Sequence, residues 1–271
     1  MITISGKITN AELLLQEYTP ATIQHKLIDI LSSSDAVYDY KTINELKFEL
    51  DMRNSIIEAA RILDGNYFKF RVFKKAVCNS DYWELTDEGG FLLKENVKPF
   101  DAVNDIFENG YKYGTECSTA IIIIYYGALL KLYPAELYNS IFKSIQLMNW
   151  HYIDDTLDVS RYKNVPDYLP GDCRYFVNPD FDPEKPEWQG ENVIDLGNGQ
   201  YYGHGLDIGD ANHIIKSLNK YRKSNSTQSA YLKDSSIRPN FKHLYDIYLN
   251  YTSARFWDDS TDIWNNYRFF I

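Results

Sequence analysis

The sequence of 271 residues predicts a single α+β domain, helical first and strand-rich second. Three observations lead there. Apolar residues recur at helical spacing through much of the first half. After residue 165 the texture changes to prolines, glycines and alternating aromatics, which mark short strands and turns. No internal repeat and no Ser/Gly-rich linker separates the halves. The expected bounds are 1–239 for the domain and 240–271 for an aromatic C-terminal extension.

Taken in order, "MITISGK" alternates and reads as an edge strand. "TPATIQHKLIDILSSS" and "KTINELKFELDMRNSIIEAARILDG" read as helices. In the second, Ile43, Leu46, Leu50, Ile57 and Ala60 share helical spacing, and Gly65 is the stop. "YFKFRVFKKA" and "DYWELTDEGGFLLKENV" carry no clear period, and "PFDAVNDIFENG" is a short helix ended by Gly110. The isoleucines of "IIII" favour a strand taken alone. The run from Ser118 to about Tyr133 has helical length, however, and a helix apolar on all sides is buried. Past the strand-rich region, "DANHIIKSLNKYRK" returns to helix and "SAYLKDSSIRP" is a closing strand. In the tail, Leu244, Ile247, Tyr248 and Tyr251 give a helix one apolar face; Phe256, Trp257 and Trp264 add apolar surface without a period.

Composition excludes several function classes. With 28 basic and 38 acidic residues the net charge is −10, which disfavours nucleic acid as a partner. No N-terminal segment reads as a signal peptide. No apolar run approaches the roughly 18 residues of a membrane span. Cys78, Cys117 and Cys173 are an odd, widely spaced set, unlike a disulfide framework. No spacing suggests zinc or a calcium loop, and "DDTLD" at 154–158 reads as a solvated turn. No metal or cofactor is expected. The 23 tyrosines fit an AT-rich coding sequence or a cohesive protein assembly.

The chemistry centres on "ENGYKYGTECSTAIIIIYYGALLKLY". Cys117 falls in the first turn of the predicted buried helix, with Ser118 or Thr115 as its cap. Unpaired N–H groups and the positive helix end there favour a thiolate and can serve as oxyanion donors. On the residues alone, a nucleophile and a structural buried cysteine both stand. A base is offered by "ENVIDLGNGQYYGHG", where Glu191 and His204 flank a turn. With Asn198-Gly199 as a two-residue loop, His204 faces Val193; with Gly197-Asn198, it faces Glu191. Either register puts carboxylate and imidazole on one face, whereas a three-residue loop would send His204 to the opposite face. The alternatives are a turn histidine and a solvent-facing strand glutamate. A cysteine at a helix start with a base from a later sheet is the papain-like plan.

"ENGYKYGTECSTAIIIIYYGALL", "NWHYIDDT", "GDCRYFVNPDFDPEKPEWQGENVIDLGNGQYYGHGLDI" and "QSAYLKDSSIRP" resemble the protein-glutamine γ-glutamyltransferase of spore-forming bacteria, as does "TINELKFELDMRNSIIEAARIL". The resemblance covers roughly residues 1–239. It implies a compact papain-like α+β fold, with the nucleophile at the N-terminus of a buried helix packed on an antiparallel sheet. It implies calcium-independent cross-linking of spore-coat proteins, so the expected partners are protein glutamine and lysine side chains, and the expected location is the spore coat. By resemblance Cys117 is the nucleophile, Glu116 its acidic neighbour, Glu191 the general base and His204 the supporting histidine. On a helix, Glu116 would point about 100° from Cys117 and could receive the incoming amine. Trp150 and Trp188 match tryptophans that line the substrate passage, and Asn192 is grouped with them on the substrate side. In a cleft lined this way, the pKa of Glu191 would rise toward that of the thiol. The segment "YIDDTLDVSRYKNVPDYLPGDC" and the tail beyond Pro239 depart from the family pattern. The alternatives are a cysteine amidase or peptidase of the same fold, in which water finishes the reaction, and a non-catalytic Tyr-rich coat protein.

Overall fold

The computed structural model describes residues 1–266, with side chains through Arg255. The chain begins with β1 (Ile2–Ile4), β2 (Lys7–Ile8), α1 (Ala11–Leu15), α2 (Ile23–Ser33), β3 (Tyr38–Tyr40) and the long helix α3 (Ile43–Gly65). There follow β4 (Lys69–Phe70), β5 (Trp83–Leu85), β6 (Phe91–Leu93), α4 (Pro99–Glu108), β7 (Gly114–Thr115) and α5 (Cys117–Leu129). The second half contains α6 (Ala135–Ile141), β8 (Gln146–Leu147), β9 (Ser160–Lys163), β10 (Cys173–Val177), β11 (Gly190–Gly197), β12 (Gln200–Gly203) and β13 (Asp207–Asp210). It closes with α7 (Ala211–Asn219), β14 (Tyr231–Leu232), β15 (Ser235–Arg238) and α8 (Phe241–Asn266). Among these residues no helix is long and apolar enough to cross a membrane.

The strong local signals become the expected helices. Thr42 accepts the N–H of Glu45, and the Glu45 carboxylate reaches back to the N–H of Lys41, so α3 opens with a reciprocal cap. α5 is buried from Ser118 to Leu129, which agrees with an apolar run that has no polar face. Its one glycine has a packing reason. At Gly127 the Phe107 ring of α4 comes within 2.0 Å of where a Cβ would stand, so α4 lies directly on α5.

The N-terminal strand departs from expectation. β1 is the centre of a three-stranded sheet, not an edge, pairing antiparallel with β2 and parallel with β3. Ser5 and Gly6 both adopt left-handed φ (49° and 74°) and turn the chain in two residues, which brings β2 alongside.

The main sheet has the order β13-β12-β11-β10-β15-β9, antiparallel throughout, with β14 added beside β10. Alternation sends its side chains into two layers. Cys173, Ile194, Tyr202 and Ile237 join α3, α4 and α5 in the principal core. Phe176, Val193 and Tyr201 face Ile214 and Leu218 of α7. Each fully buried aliphatic side chain stabilises the fold by roughly 1.5–3 kcal/mol. Phe241, Leu244 and Tyr245 of α8 also belong to the principal core, with Ile247, Tyr248 and Tyr251 packed against it. Phe256, Trp257 and Trp264 lie outside the residues whose side chains are described. The acidic stretch at 154–158 is a short 3-10 turn on buried Leu157, and Asp158 accepts from Asn240 at the entrance to α8.

Candidate active site

Cys117 is the first residue of α5, as expected from the length of the apolar run. Its cap is different. Glu116 is the N-cap, with extended backbone, and its carboxylate accepts the N–H groups of Ser118 (2.9 Å) and Thr119 (2.8 Å). It also accepts both of their hydroxyls. Neither Ser118 nor Thr115 caps the helix. The Ser118 hydroxyl is a donor to Glu116, and the Thr115 hydroxyl is buried without a partner. Two consequences correct the sequence reading. The first-turn N–H groups expected to serve an oxyanion are engaged, apart from that of Cys117 itself. The negative cap also offsets the positive helix end, so the helix start does not favour a thiolate. Glu116 lies outside the helix with a fully engaged carboxylate, which removes the stated geometry for its receiving an amine.

Glu191 and His204 arrive from the β11–β12 hairpin. Asn198 and Gly199 form its tip with left-handed φ of 54° and 70°, one of the two expected loops. A bulge between Asp195 and Gly197 adds a residue to β11, however, so Val193 pairs with Gly203. β12 ends at Gly203 and His204 lies in the turn beyond it, so neither expected register is formed. The imidazole stacks on Phe68 (4.6 Å between centroids), with Nδ1 3.0 Å from the Tyr202 hydroxyl and Nε2 3.2 Å from the Thr115 carbonyl. A carbonyl only accepts, so Nε2 carries the proton and Nδ1 accepts from Tyr202. Burial pushes the His204 pKa down to about 4, leaving the ring neutral with both nitrogens engaged. His204 therefore ties the hairpin to the residues just before Cys117; it is not placed as a base.

Glu191 is 2 % exposed, and its Oε1 has no hydrogen-bond partner. Gly203 leaves room for it, with Glu191 Cγ 3.3 Å from where a Cβ would stand. Burial, then the charge of Glu116, raises its pKa well above the carboxylate range, against the pull of the His204 backbone N–H. The rise expected for a base in a dry cleft is thus present. The Cys117 thiol is also raised well above its ordinary value, by burial first and then by Glu191 and Glu116; Asn192 opposes this. Cys117, Glu191 and Glu116 form one electrostatic group.

Asn192 Nδ2 lies 3.6 Å from Cys117 Sγ, so this residue touches the sulfur itself. Its cross-strand partner on β10 is Tyr175, which sequence reasoning missed. The Tyr175 hydroxyl comes within 2.2 Å of where a Cβ of Gly190 would stand, so this glycine exists to admit it. The Tyr175 phenol is pushed up to about 12 by burial and then by Cys117 and Glu191, which places it beside both. Trp188 is half-buried just before β11; it stacks on Tyr221 (3.8 Å, 8°) and lies 5.9 Å from Phe70. Trp150 is half-buried in the segment held to α5 by the Asn149 N–H on Thr119 Oγ1 (3.0 Å). The two tryptophans thus adjoin the segments carrying Glu191 and Cys117. Cys78 and Cys173 are free thiols away from any helix start, the first raised by burial to about 11. Among the described residues no group of three His, Cys, Asp or Glu could hold a metal ion.

Comparison with known proteins gives the family. Residues 1–248 match the family model described as protein-glutamine gamma-glutamyltransferase. Proteins of that name from Bacillus cereus (strain B4264) and Bacillus mycoides (strain KBAB4) are each 42% identical over 239 residues, covering 88% of this chain and 86% of theirs. A solved transglutaminase from Geobacillus stearothermophilus, without its C-terminal extension, superposes with a TM-score of 0.73 at 41% identity, covering 76% of this chain and 98% of that one. The single α+β domain, with its cysteine at the start of a buried helix against an antiparallel sheet, belongs to the protein-glutamine gamma-glutamyltransferase family.

Proposed function

We propose that this transferase joins a protein glutamine to a protein lysine through a thioester on Cys117, without calcium, and that it does so in the spore coat. The observation that carries the chemistry is the pairing of Cys117 with Glu191 in a site where burial raises both proton affinities together. A carboxylate with an ordinary pKa would be a poor base for a thiol, and burial gives Glu191 a higher proton affinity than that.

In this reading the Cys117 S–H proton passes to Glu191, and the sulfur attacks the side-chain carboxamide carbon of glutamine. Glu191 returns the proton to the nitrogen as the C–N bond breaks, and ammonia leaves. A neutral lysine amine then attacks the thioester, Glu191 takes a proton from it, and the thiol is restored. The product is an ε-(γ-glutamyl)lysine bond. The family supplies the protein substrates. The Bacillus relatives and the Tyr-rich sequence support a place in the coat, and the absence of any calcium-loop spacing supports metal independence.

The test is incubation of a glutamine-containing protein with a labelled primary amine, with and without chelator. Label should enter the protein equally in both. Cys117→Ser should incorporate none while remaining folded, since the exchange is nearly isosteric. Activity lost in chelator and restored by calcium would refute metal independence. Ammonia release without label uptake would show that water, as in an amidase, resolves the thioester.

A further inference from the structure

Among the described residues, the charged and titratable groups acting on the Cys117 sulfur resist negative charge there. From the helix cap comes Glu116, from β11 Glu191, and from β10 Tyr175. Among the described residues no Lys or Arg pairs with the thiol, and the nearby imidazole of His204 is neutral and held by Thr115 and Tyr202. The usual support for a helix-start thiolate is N–H groups and dipole. Here the N–H groups of Ser118 and Thr119 already serve the Glu116 carboxylate.

One residue supplies what is missing. Asn192 Nδ2 lies 3.6 Å from Sγ, and the backbone N–H of the same residue also donates toward the sulfur. The side chain is 7 % exposed, so water competes little for it. It is held in place from the next strand, where Tyr175 pairs with Asn192 and lays its hydroxyl over Gly190. The geometry points to Asn192 as a catalytic residue whose amide and backbone N–H groups hold the negative charge on Sγ once the thiol proton has passed to Glu191. In that step the S–H bond breaks, its electron pair stays on sulfur, and an O–H bond forms on Glu191. The strand that brings the base thus also brings the anion's donors. This role rests on Cys117 being the nucleophile of the transfer reaction, and it differs from gripping substrate.

The experiment follows iodoacetamide labelling of Cys117 against pH in the full chain. Labelling is located by peptide mass so that Cys78 and Cys173 do not contribute. Asn192→Ala should move the labelling midpoint up by about one pH unit, roughly tenfold less thiolate at a given pH, as expected for loss of one hydrogen bond to a charged atom. Asn192→Asp keeps the shape but adds a third carboxyl, and should move it further. Asn192→Ser keeps a short donor and should recover part of the shift. Thermal melting reports whether each variant is folded; if Asn192→Ala is not, Asn192→Asp decides alone. Midpoints unchanged from the parent, with amine transfer weakened through KM, would make Asn192 a substrate contact and overturn the assignment. If the parent itself transfers no amine, the proposed function fails, while the thiol titration stays readable.

Discussion

Two buried polar groups sit toward opposite ends of the β10–β11 pair, and they are built in opposite ways. At one end Arg53 donates to Glu49 (2.9 Å), Asp172 (2.9 Å) and the Pro170 carbonyl (3.1 Å), and Arg238 adds a contact to Asp172 (3.3 Å). Two cations face two carboxylates, under the ring of Phe241. At the other end Glu191 and Glu116 lie beside Cys117, and among the described residues no cation pairs with either carboxylate. Arg53 and Asp172 are 0 % exposed and Glu191 2 %, so each group has a fully buried member, while Glu116 and Cys117 are half-buried. Pairing, rather than depth, separates scaffold from chemistry. A balanced group keeps its charges fixed, whereas an unbalanced one changes its proton affinities and can exchange a proton with its neighbour.

The largest expected effect comes from uncovering the balanced group. A chain ended at Pro239 loses Phe241, Leu244 and Tyr245 from the core, and should lose about 5 kcal/mol or more of stability. A chain ended at Arg255 keeps them and should melt near the parent. Equal melting of the two would show that the helix entrance covers nothing that matters.

Next, Arg53→Met leaves Glu49 and Asp172 short of their cation and should cost about 3–5 kcal/mol in urea denaturation. The alkylation midpoint of Cys117 should not move. A cost below about 1 kcal/mol would mean that the balanced group could be apolar without loss.

A smaller slope comes from His204. Its folded pKa of about 4 lies below the 6.5 of an unfolded imidazole, so between those values the unfolded chain binds more protons. Stability is therefore full above about pH 6.5 and falls as pH drops toward 4, by on the order of 3 kcal/mol in total. His204→Asn should flatten that part of the urea midpoint curve. An unchanged curve would place the acid sensitivity elsewhere.

The sharpest contrast uses the unbalanced group. Glu191→Gln should lower amine transfer by about 10²-fold or more, the usual scale for a positioned acid–base group. It should leave stability near the parent, because the lost carboxylate oxygen had no partner. His204→Asn should cost less activity than Glu191→Gln. The reverse order, with a raised thiol pKa in the histidine variant, would restore an ordinary Cys–His pair.

The parts of this molecule legible in sequence are those set by local physics. Spacing gave α3, and apolar length gave α5 and the place of Cys117 at its start. The rest depended on distant partners. Glu116 as cap is hidden because Ser118 and Thr115 are commoner capping types, and only the extended backbone at 116 lets the longer carboxylate reach two N–H groups. The bulge near Leu196 carries no residue signature, yet it shifts the hairpin so that Val193 pairs with Gly203. Tyr175 and Gly190 meet only through the pairing of two strands separated by a long connection. The role of β1 depended on a tight Ser5-Gly6 turn and on β3, more than thirty residues later.

The order of these elements along the chain has a consequence for how the protein is made. Cys117 leaves the ribosome well before Asn192, 75 residues later, and before the α8 residues that complete the core. At biosynthetic rates of about 5–20 residues per second, the thiol waits several seconds for its base. During that interval α5 has no sheet to cover it, and the expected outcome is a growing chain that small thiol reagents label without cross-linking. Chains stalled short of β11 should label at Cys117 and show no cross-linking.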